Sequence, residues 1–306
     1  MAYDNYSTGA APDYLVIGHV TKDLLAGISS SDSSSEGASS HGSYVPGGTV
    51  TYAALTAQRL GLQAAIVTAC RPEDIALLAP AQAEGIWVHA LASPHTTAFR
   101  NIYDERGQRT QFIAGQASPL RYEHVPPPWR AAPIVHLGPV AQELPPDLPQ
   151  RFLNCLLGIT PQGWMRSWQN NGRVEHSAYP VPPALRVLPA NTVLVLSIED
   201  LGHDPALLEV YTGLAPLVVV TQGARNALVY RHSEGVEVPA FPAQALDPTG
   251  AGDVFAAALF VRYRETGDPV QAARFAHAAA AWSIEGAGTS TIPRRKAVEL
   301  RMSGNP

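Results

Sequence analysis

Short unbroken apolar runs alternate along this chain with longer amphipathic stretches, and the alternation predicts a parallel sheet with helices packed on it. Residues 14–17, 64–69, 134–137, 192–196 and 217–220 are rich in Val, Ile, Leu and Ala and have polar or glycine exits, the pattern of strands buried on both faces. Val50, Ala53, Ala54, Ala57 and Leu60 recur at helical spacing before Gly61, so a helix is predicted over 49–60. A helix is predicted over 73–82, a strand over 86–90, the end of a helix over 152–157 and a short strand over 158–160. Near the C-terminus, residues 253–263 contain no Gly or Pro and predict a helix beginning near Gly250. An Ala-rich helix over 268–282 and a last amphipathic one over 293–300 follow.

The period shortens in two places. Residues 97–103 and 109–113 flank a polar 104–108 segment and read as a hairpin on the periphery of the α/β body, and a smaller hairpin is predicted around 233–235. Residues 29–43 are a polar, Ser-rich tract with too little apolar surface to offset its ordering entropy, so a mobile surface loop is predicted. Residues 121–132 are Pro-rich and irregular.

Composition narrows the class. With 306 residues, 46% hydrophobic and 15% charged, the chain suits one sizeable α/β domain with a minor second element, or at most two domains. No run reaches the roughly 18 apolar residues of a membrane helix, and residues 1–12 are polar, so a cytoplasmic protein is expected. A net charge of −5 without a long basic run argues against nucleic acid. The two cysteines, Cys70 and Cys155, share no metal-like or redox spacing and are expected in the core.

The stretch that carries chemistry is Asp247-Pro248-Thr249-Gly250-Ala251-Gly252-Asp253. A helix starting there would leave the amides of Gly250, Ala251 and Gly252 unpaired at its positive end, which suits a phosphate. A carboxylate at Asp253 would repel a passively held anion, but it suits a base that deprotonates a hydroxyl attacking that phosphate. Walker A and protein-kinase glycine loops are absent from the sequence.

The heptad resembles the C-terminal signature of the ribokinase-like (PfkB) carbohydrate kinases, which usually have Thr in place of Pro248. Further matches are the Gly18-x4-Asp23 spacing, Gly47-Gly48 before the 49–60 helix, and Thr221-x-Gly223. The resemblance implies a ribokinase-like three-layer α/β/α domain over 1–306, with a mostly parallel central sheet and a small β lid contributed by about 24–46 and 97–114. It implies ATP as donor with Mg2+, and leaves K+ open. The acceptor would be held by Asp23, Gly47, Gly48 and Tyr52, with Tyr52 standing where the family has Asn. Arg166, in a Gln-Gly-Trp-x-Arg run, is expected to meet substrate, a phosphate or a surface carboxylate. Thr221, Gly223, Asp247, Thr249, Gly286 and Gly288 would face the nucleotide. Where the family carries Asn-x-x-Glu, Ser197 and Asp200 keep the spacing and Glu199 keeps the residue type, so the Mg2+ carboxylate is either Glu199 or Asp200.

The implied activity is ATP-dependent phosphorylation of a small sugar or polyol. The alternatives are an inositol or nucleoside kinase of the same fold, or a catalytically silent ligand-binding member. The oligomeric state is left open, a homodimer included.

Overall fold

The computed structural model describes residues 2–6, 9–24, 44–103, 109–232 and 234–304. The predicted 29–43 loop, residues 104–108 of the first predicted hairpin and Ser233 of the second lie outside them.

In chain order the strands begin with β1 (Ala2–Asp4), β2 (Tyr14–Ile17), β3 (Thr21–Leu24), β4 (Tyr44–Gly47), β5 (Ala64–Cys70), β6 (Trp87–Ala92), β7 (Thr97–Tyr103) and β8 (Arg109–Gly115). They continue with β9 (Ile134–Leu137), β10 (Leu156–Ile159), β11 (Arg166–Trp168), β12 (Val174–His176), β13 (Thr192–Ser197), β14 (Leu217–Thr221), β15 (Asn226–Arg231) and β16 (Glu234–Pro239). The helices are α1 (Thr49–Arg59), α2 (Ala79–Ala83), α3 (Pro205–Thr212), α4 (Ala251–Thr266), α5 (Pro269–Ser283) and α6 (Arg295–Ser303).

Ten strands form one sheet in the order β1-β6-β5-β2-β9-β10-β13-β14-β15-β16. From β6 to β14 every pairing is parallel, and β1, β15 and β16 are added antiparallel at the two edges. Residues of β2, β9, β10 and β13 alternate between two buried clusters, as strands covered on both faces must. One cluster joins the sheet to α1, α4, α5 and Val298 of α6. The small side chains Ala256, Ala257, Ala272, Ala273 and Ala276 are all fully buried in it, which lets α4 and α5 approach closely.

The opposite face is covered differently. Among the described residues α3 is the one α-helix there; 3₁₀ turns at Pro127–Ala131, Leu148–Arg151 and Pro183–Leu185 deliver Trp129, Leu148 and Leu185 to the core beside loop residues such as Trp164. Prolines cause this, because each removes an amide donor and clashes with a continuing α-helix. The same effect corrects two local expectations. Instead of a single 73–82 helix there is a 3₁₀ segment, Pro72–Leu78, then the five-residue α2 with Pro80 in its first turn. Residues 152–157 do not end an α-helix: a 3₁₀ turn stops at Arg151, and β10 begins at Leu156.

A second sheet of four strands, in the order β4-β3-β7-β8, stands apart from the first. Its pairing β3–β7 is parallel while β3–β4 and β7–β8 are antiparallel. β1 and the β11–β12 ribbon carried no period in sequence long enough to predict them. Cys70 is buried and Cys155 half-buried, both are free thiols, and burial pushes each thiol up to about 11. Among the described residues no helix is long and apolar enough to cross a membrane.

Candidate active site

A cavity of about 680 Å³ opens at the carboxyl ends of the central parallel strands, beyond β10, β13 and β14. This is where open α/β sheets leave room for ligands, because the connections diverge there. Thr160 after β10, Ser197 at the end of β13 and Thr221 at the end of β14 form its floor, while Asp23, Val45, Phe99 and Gln111 of the four-stranded sheet contribute the opposite wall. The starts of α1 and α4 complete it with Gly48, Thr49, Tyr52 and every residue of 247–253.

Helix α4 begins where the glycine pattern predicts it. Gly250 is its N-cap in the left-handed region at φ 76°, and Asp253 is the acidic residue of the first turn. A Cβ at Gly250 would fall inside the Tyr52 ring, so glycine is required twice, for the dihedral and for the contact. At Gly252 a Cβ would meet only open space. One expected amide is not available: Ala251 N–H donates to Pro248 O at 3.2 Å, closing the turn. The remaining first-turn amides have no carbonyl one turn behind them, as at any helix start.

Asp253 is half-buried by surface accessibility, yet protein packs densely around its carboxyl, and that desolvation dominates its charge state. Burial pushes the carboxyl up; the Thr49 hydroxyl, which donates to it, and the Arg166 charge pull it back, while Asp200 and Asp23 push again, and the outcome is about 6. An acid of that strength is ionised at neutral pH and still basic enough to take a proton. Arg166 is thus at the cavity, with its guanidinium donating to Val140 O at 3.2 Å and lying 5.5 Å from the Phe99 ring.

Asp247 lies in the cavity wall with both oxygens engaged by the chain. Oδ1 accepts the Thr249 amide at 3.0 Å and Oδ2 accepts the Gly288 amide at 2.8 Å. Burial pushes this carboxyl up, but hydrogen bonding by the Thr249 hydroxyl and then by the Gly288 and Thr249 amides outweighs it and holds it below its ordinary value. Asp247 therefore ties the turn before α4 to the 286–288 loop. Gly286 and Gly288 do not line the cavity; Gly286 packs against Thr291, and Gly223 is exposed beyond β14.

Of the two carboxylates expected near a metal, Asp200 lines the cavity and Glu199 is exposed outside it. Asp200 Oδ2 accepts the Ser197 amide and hydroxyl, each at 2.9 Å, and Oδ1 is 3.3 Å from Gln162 Nε2. Among the described residues no group of three or more His, Cys, Asp or Glu could cage a metal ion.

On the acceptor side, Asp23 and Gly48 line the cavity while Gly47 is buried behind them, its missing Cβ making room for the Asp23 carboxylate. Tyr52 is only 2% exposed, and its phenol oxygen is buried without a hydrogen-bond partner among the described residues. Burial, then the charges of Asp247, Asp253 and Asp23, push that phenol well above its ordinary value, so it is a fixed donor. Three residues had escaped the sequence reading. Thr49, directly after Gly47-Gly48, could have been found as a helix-start hydroxyl. Thr160 carried only its place after a strand. Glu143 gave no signal at all: its buried carboxylate accepts the amides of His19 at 2.9 Å, Val140 at 3.0 Å and Ala141 at 2.7 Å, pinning the loops that leave β2 and β9.

Comparison with known proteins points the same way. Residues 199–296 match the model of the pfkB family carbohydrate kinases. A deoxyribokinase of Salmonella typhi is 38% identical over 74 residues, 24% of this chain and 24% of that one. An inositol 3-kinase of Zea mays is 31% identical over 122 residues, 40% of this chain and 31% of the relative. The matched part thus spans about a quarter to a third of the length of these curated relatives. The structure of Arabidopsis thaliana ribokinase complexed with ribose and ATP superposes with a TM-score of 0.71 at 19% identity, covering 96% of this chain and 100% of that one, a likeness of fold.

Proposed function

Because this chain is a ribokinase-like member of the pfkB carbohydrate kinase family, we propose that it transfers the terminal phosphoryl group of ATP to a hydroxyl of a small sugar or polyol. One observation carries this reading: Asp253, its carboxyl raised to about 6, faces a 680 Å³ cavity from the first turn of a helix whose opening turn can receive phosphate.

Asp253 takes the proton of the acceptor hydroxyl as that oxygen forms its bond to phosphorus, and the bond from phosphorus to the bridging oxygen of the donor breaks. Thr49 orients the carboxylate, and Arg166 lies near enough to hold it ionised. The remaining first-turn amides, that of the cavity-lining Gly252 among them, receive the phosphoryl oxygens, where pre-aimed donors are worth about 3–4 kcal/mol each. Asp200 is the residue that fits Mg2+, since this ion needs one or two carboxylates beside waters and phosphates and not a protein cage. When bound, the ion offsets phosphate charge. Asp247 braces the turn. Asp23 and Tyr52 hold the alcohol, and the four-stranded sheet serves as a lid that excludes competing water. Such a kinase works where ATP is, in the cytoplasm, as one domain over 1–306.

Tyr52 favours a second reading, an inositol or nucleoside acceptor, because a buried phenol replaces an amide that would pair with ribose hydroxyls. Product formation from ATP with ribose, deoxyribose, hexoses, myo-inositol and nucleosides decides between them. ATP binding by calorimetry without turnover of any acceptor would leave a silent ligand-binding protein in place of the kinase.

With the Asp253 carboxyl raised to about 6, kcat should be level above pH 7 and fall about tenfold per pH unit below 6. A rate unchanged between pH 7 and pH 5 would remove Asp253 as base. Tyr52→Phe should leave the unfolding free energy within about 1 kcal/mol of wild type, because the deleted hydroxyl has no partner to lose, and raise the acceptor KM about tenfold. An unchanged KM would take Tyr52 out of acceptor binding.

A further inference from the structure

Three side chains make a hydrogen-bonded line through the middle of the sheet that the phosphoryl-transfer reading does not use. The Tyr14 phenol oxygen lies 2.8 Å from His136 Nδ1, and His136 Nε2 lies 2.9 Å from Thr160 Oγ1. Tyr14 and His136 are 0% exposed, on adjacent strands β2 and β9, while Thr160 is half-buried and lines the cavity. The line therefore runs from the core to the ligand edge.

Helix α4 clamps it. Gly158 of β10 pairs with His136, and its missing Cβ leaves space for the Phe260 ring, which meets the His136 ring edge-on at 5.0 Å. Asp253 precedes Phe260 by about two turns of α4, so the helix that presents the carboxylate also packs on the imidazole. At the other end, a Cβ on Gly138 would overlap Thr49 and stand 3.4 Å from Thr160 Oγ1. Thr160 is thus beside Thr49, the residue that donates to Asp253.

Counting donors fixes the proton positions. A neutral imidazole donates from one nitrogen and accepts at the other. Were the proton on Nδ1, it would go to the Tyr14 oxygen, and the phenol's own proton, fully buried, would have no acceptor, a costly arrangement. With the proton on Nε2, Tyr14 donates to Nδ1 and His136 donates to Thr160 Oγ1. Burial holds the imidazole down to about 3, so it stays neutral throughout the physiological range. Among the described residues His136 is the one hydrogen-bond partner of Thr160 Oγ1, which leaves the hydroxyl proton of Thr160 facing the cavity.

We propose that Thr160 positions the acceptor: Tyr14 and His136 polarise its hydroxyl into a fixed donor that holds an oxygen of the alcohol beside Asp253. The identity of that alcohol rests on the kinase reading; the direction of the hydrogen bonds does not. The arrangement suits an attacking hydroxyl, which can give its proton to Asp253, accept from Thr160 with one lone pair and keep the other for phosphorus. Tyr14 and His136 act through Thr160 and are positioning residues.

The test has two arms on the full chain. In protein labelled with 15N-histidine, with His136 assigned by comparison with His136→Gln, the ring should show a neutral Nε2–H tautomer from pH 5 to 8.5; a proton on Nδ1 overturns the proposal. With ribose, myo-inositol and cytidine as acceptors, Thr160→Val should raise the acceptor KM at least tenfold and change the ATP KM less than twofold, and Thr160→Ser should recover to within about threefold of wild type. If Thr160→Val does not fold, Tyr14→Phe carries the comparison: a mixed His136 tautomer, an acceptor KM raised about three- to tenfold and an unchanged ATP KM. An active wild type matched by its Thr160→Val variant, or by Tyr14→Phe in its place, overturns this inference alone. A wild type that phosphorylates nothing in the panel overturns the kinase reading instead, and the tautomer still reports on the hydrogen-bonded line.

Discussion

Asp253→Asn should lower turnover by about 10²- to 10⁴-fold while leaving ATP affinity within about threefold of wild type. The side chain keeps its shape and its place in the first turn of α4, so the donor still meets the same turn; what disappears is the group that accepts the acceptor's proton. The same variant should be more stable. Burial raises this carboxyl from an ordinary 3.8 to about 6, so the folded chain binds the proton more tightly than the unfolded chain does. Its contribution to stability is therefore full at low pH and declines as pH rises from about 4 through 6. Asparagine carries no charge to bury, and Asp253→Asn should gain on the order of 1–3 kcal/mol over wild type at pH 8, with the gain vanishing near pH 4. Urea unfolding at the two pH values, beside steady-state rates, measures both effects. A variant that turns over normally, or that loses stability at pH 8, would contradict a desolvated catalytic carboxylate.

The second large effect separates the two glycines of the motif. Gly250→Ala forces a Cβ into the Tyr52 ring at a residue with φ 76°. The left-handed dihedral costs about 1–2 kcal/mol and the overlap about 1–3 kcal/mol, so a loss of about 2–5 kcal/mol in unfolding free energy is expected. Gly252→Ala meets open space at an ordinary dihedral and should fold with unchanged stability. Its methyl group, however, projects where phosphoryl oxygens would approach the helix start, so the ATP KM should rise at least tenfold. Wild-type kinetics in Gly252→Ala would mean that phosphate is received elsewhere, and wild-type stability in Gly250→Ala would mean that the turn relaxes at no cost.

The elements nearest the chemistry were legible because their signals are local. Strands such as Tyr14–Ile17 and Leu217–Thr221 are apolar runs buried on both faces, and α4 announces itself by two glycines followed by an unbroken helical stretch. Where prolines interrupt the pattern, the sequence indicated a helix over 73–82 and the end of one over 152–157, and the chain instead formed 3₁₀ turns at Pro72–Leu78 and Leu148–Arg151, since short irregular cover satisfies the same buried face without the missing donors. The candidate site was legible in part. Asp253, Gly250 and Gly252 are neighbours in sequence, and so could be read together. The fate of Asp247, whose oxygens are taken by Thr249 and Gly288, could not be read, because its second partner lies 41 residues away.

Sequence by itself determined the alternation of strands and helices, the start of α4 near Gly250 and the acid in its first turn, all set by helix propensity and periodicity within a few neighbouring residues. Only the tertiary structure decided that Tyr52 packs under Gly250, that Glu143 pins two loops, that Glu199 faces solvent while Asp200 faces the cavity, and that burial and neighbouring charges bring Asp253 to about 6. Those outcomes depend on distances between residues far apart in the chain, and desolvation and Coulomb interactions have no value until folding sets those distances.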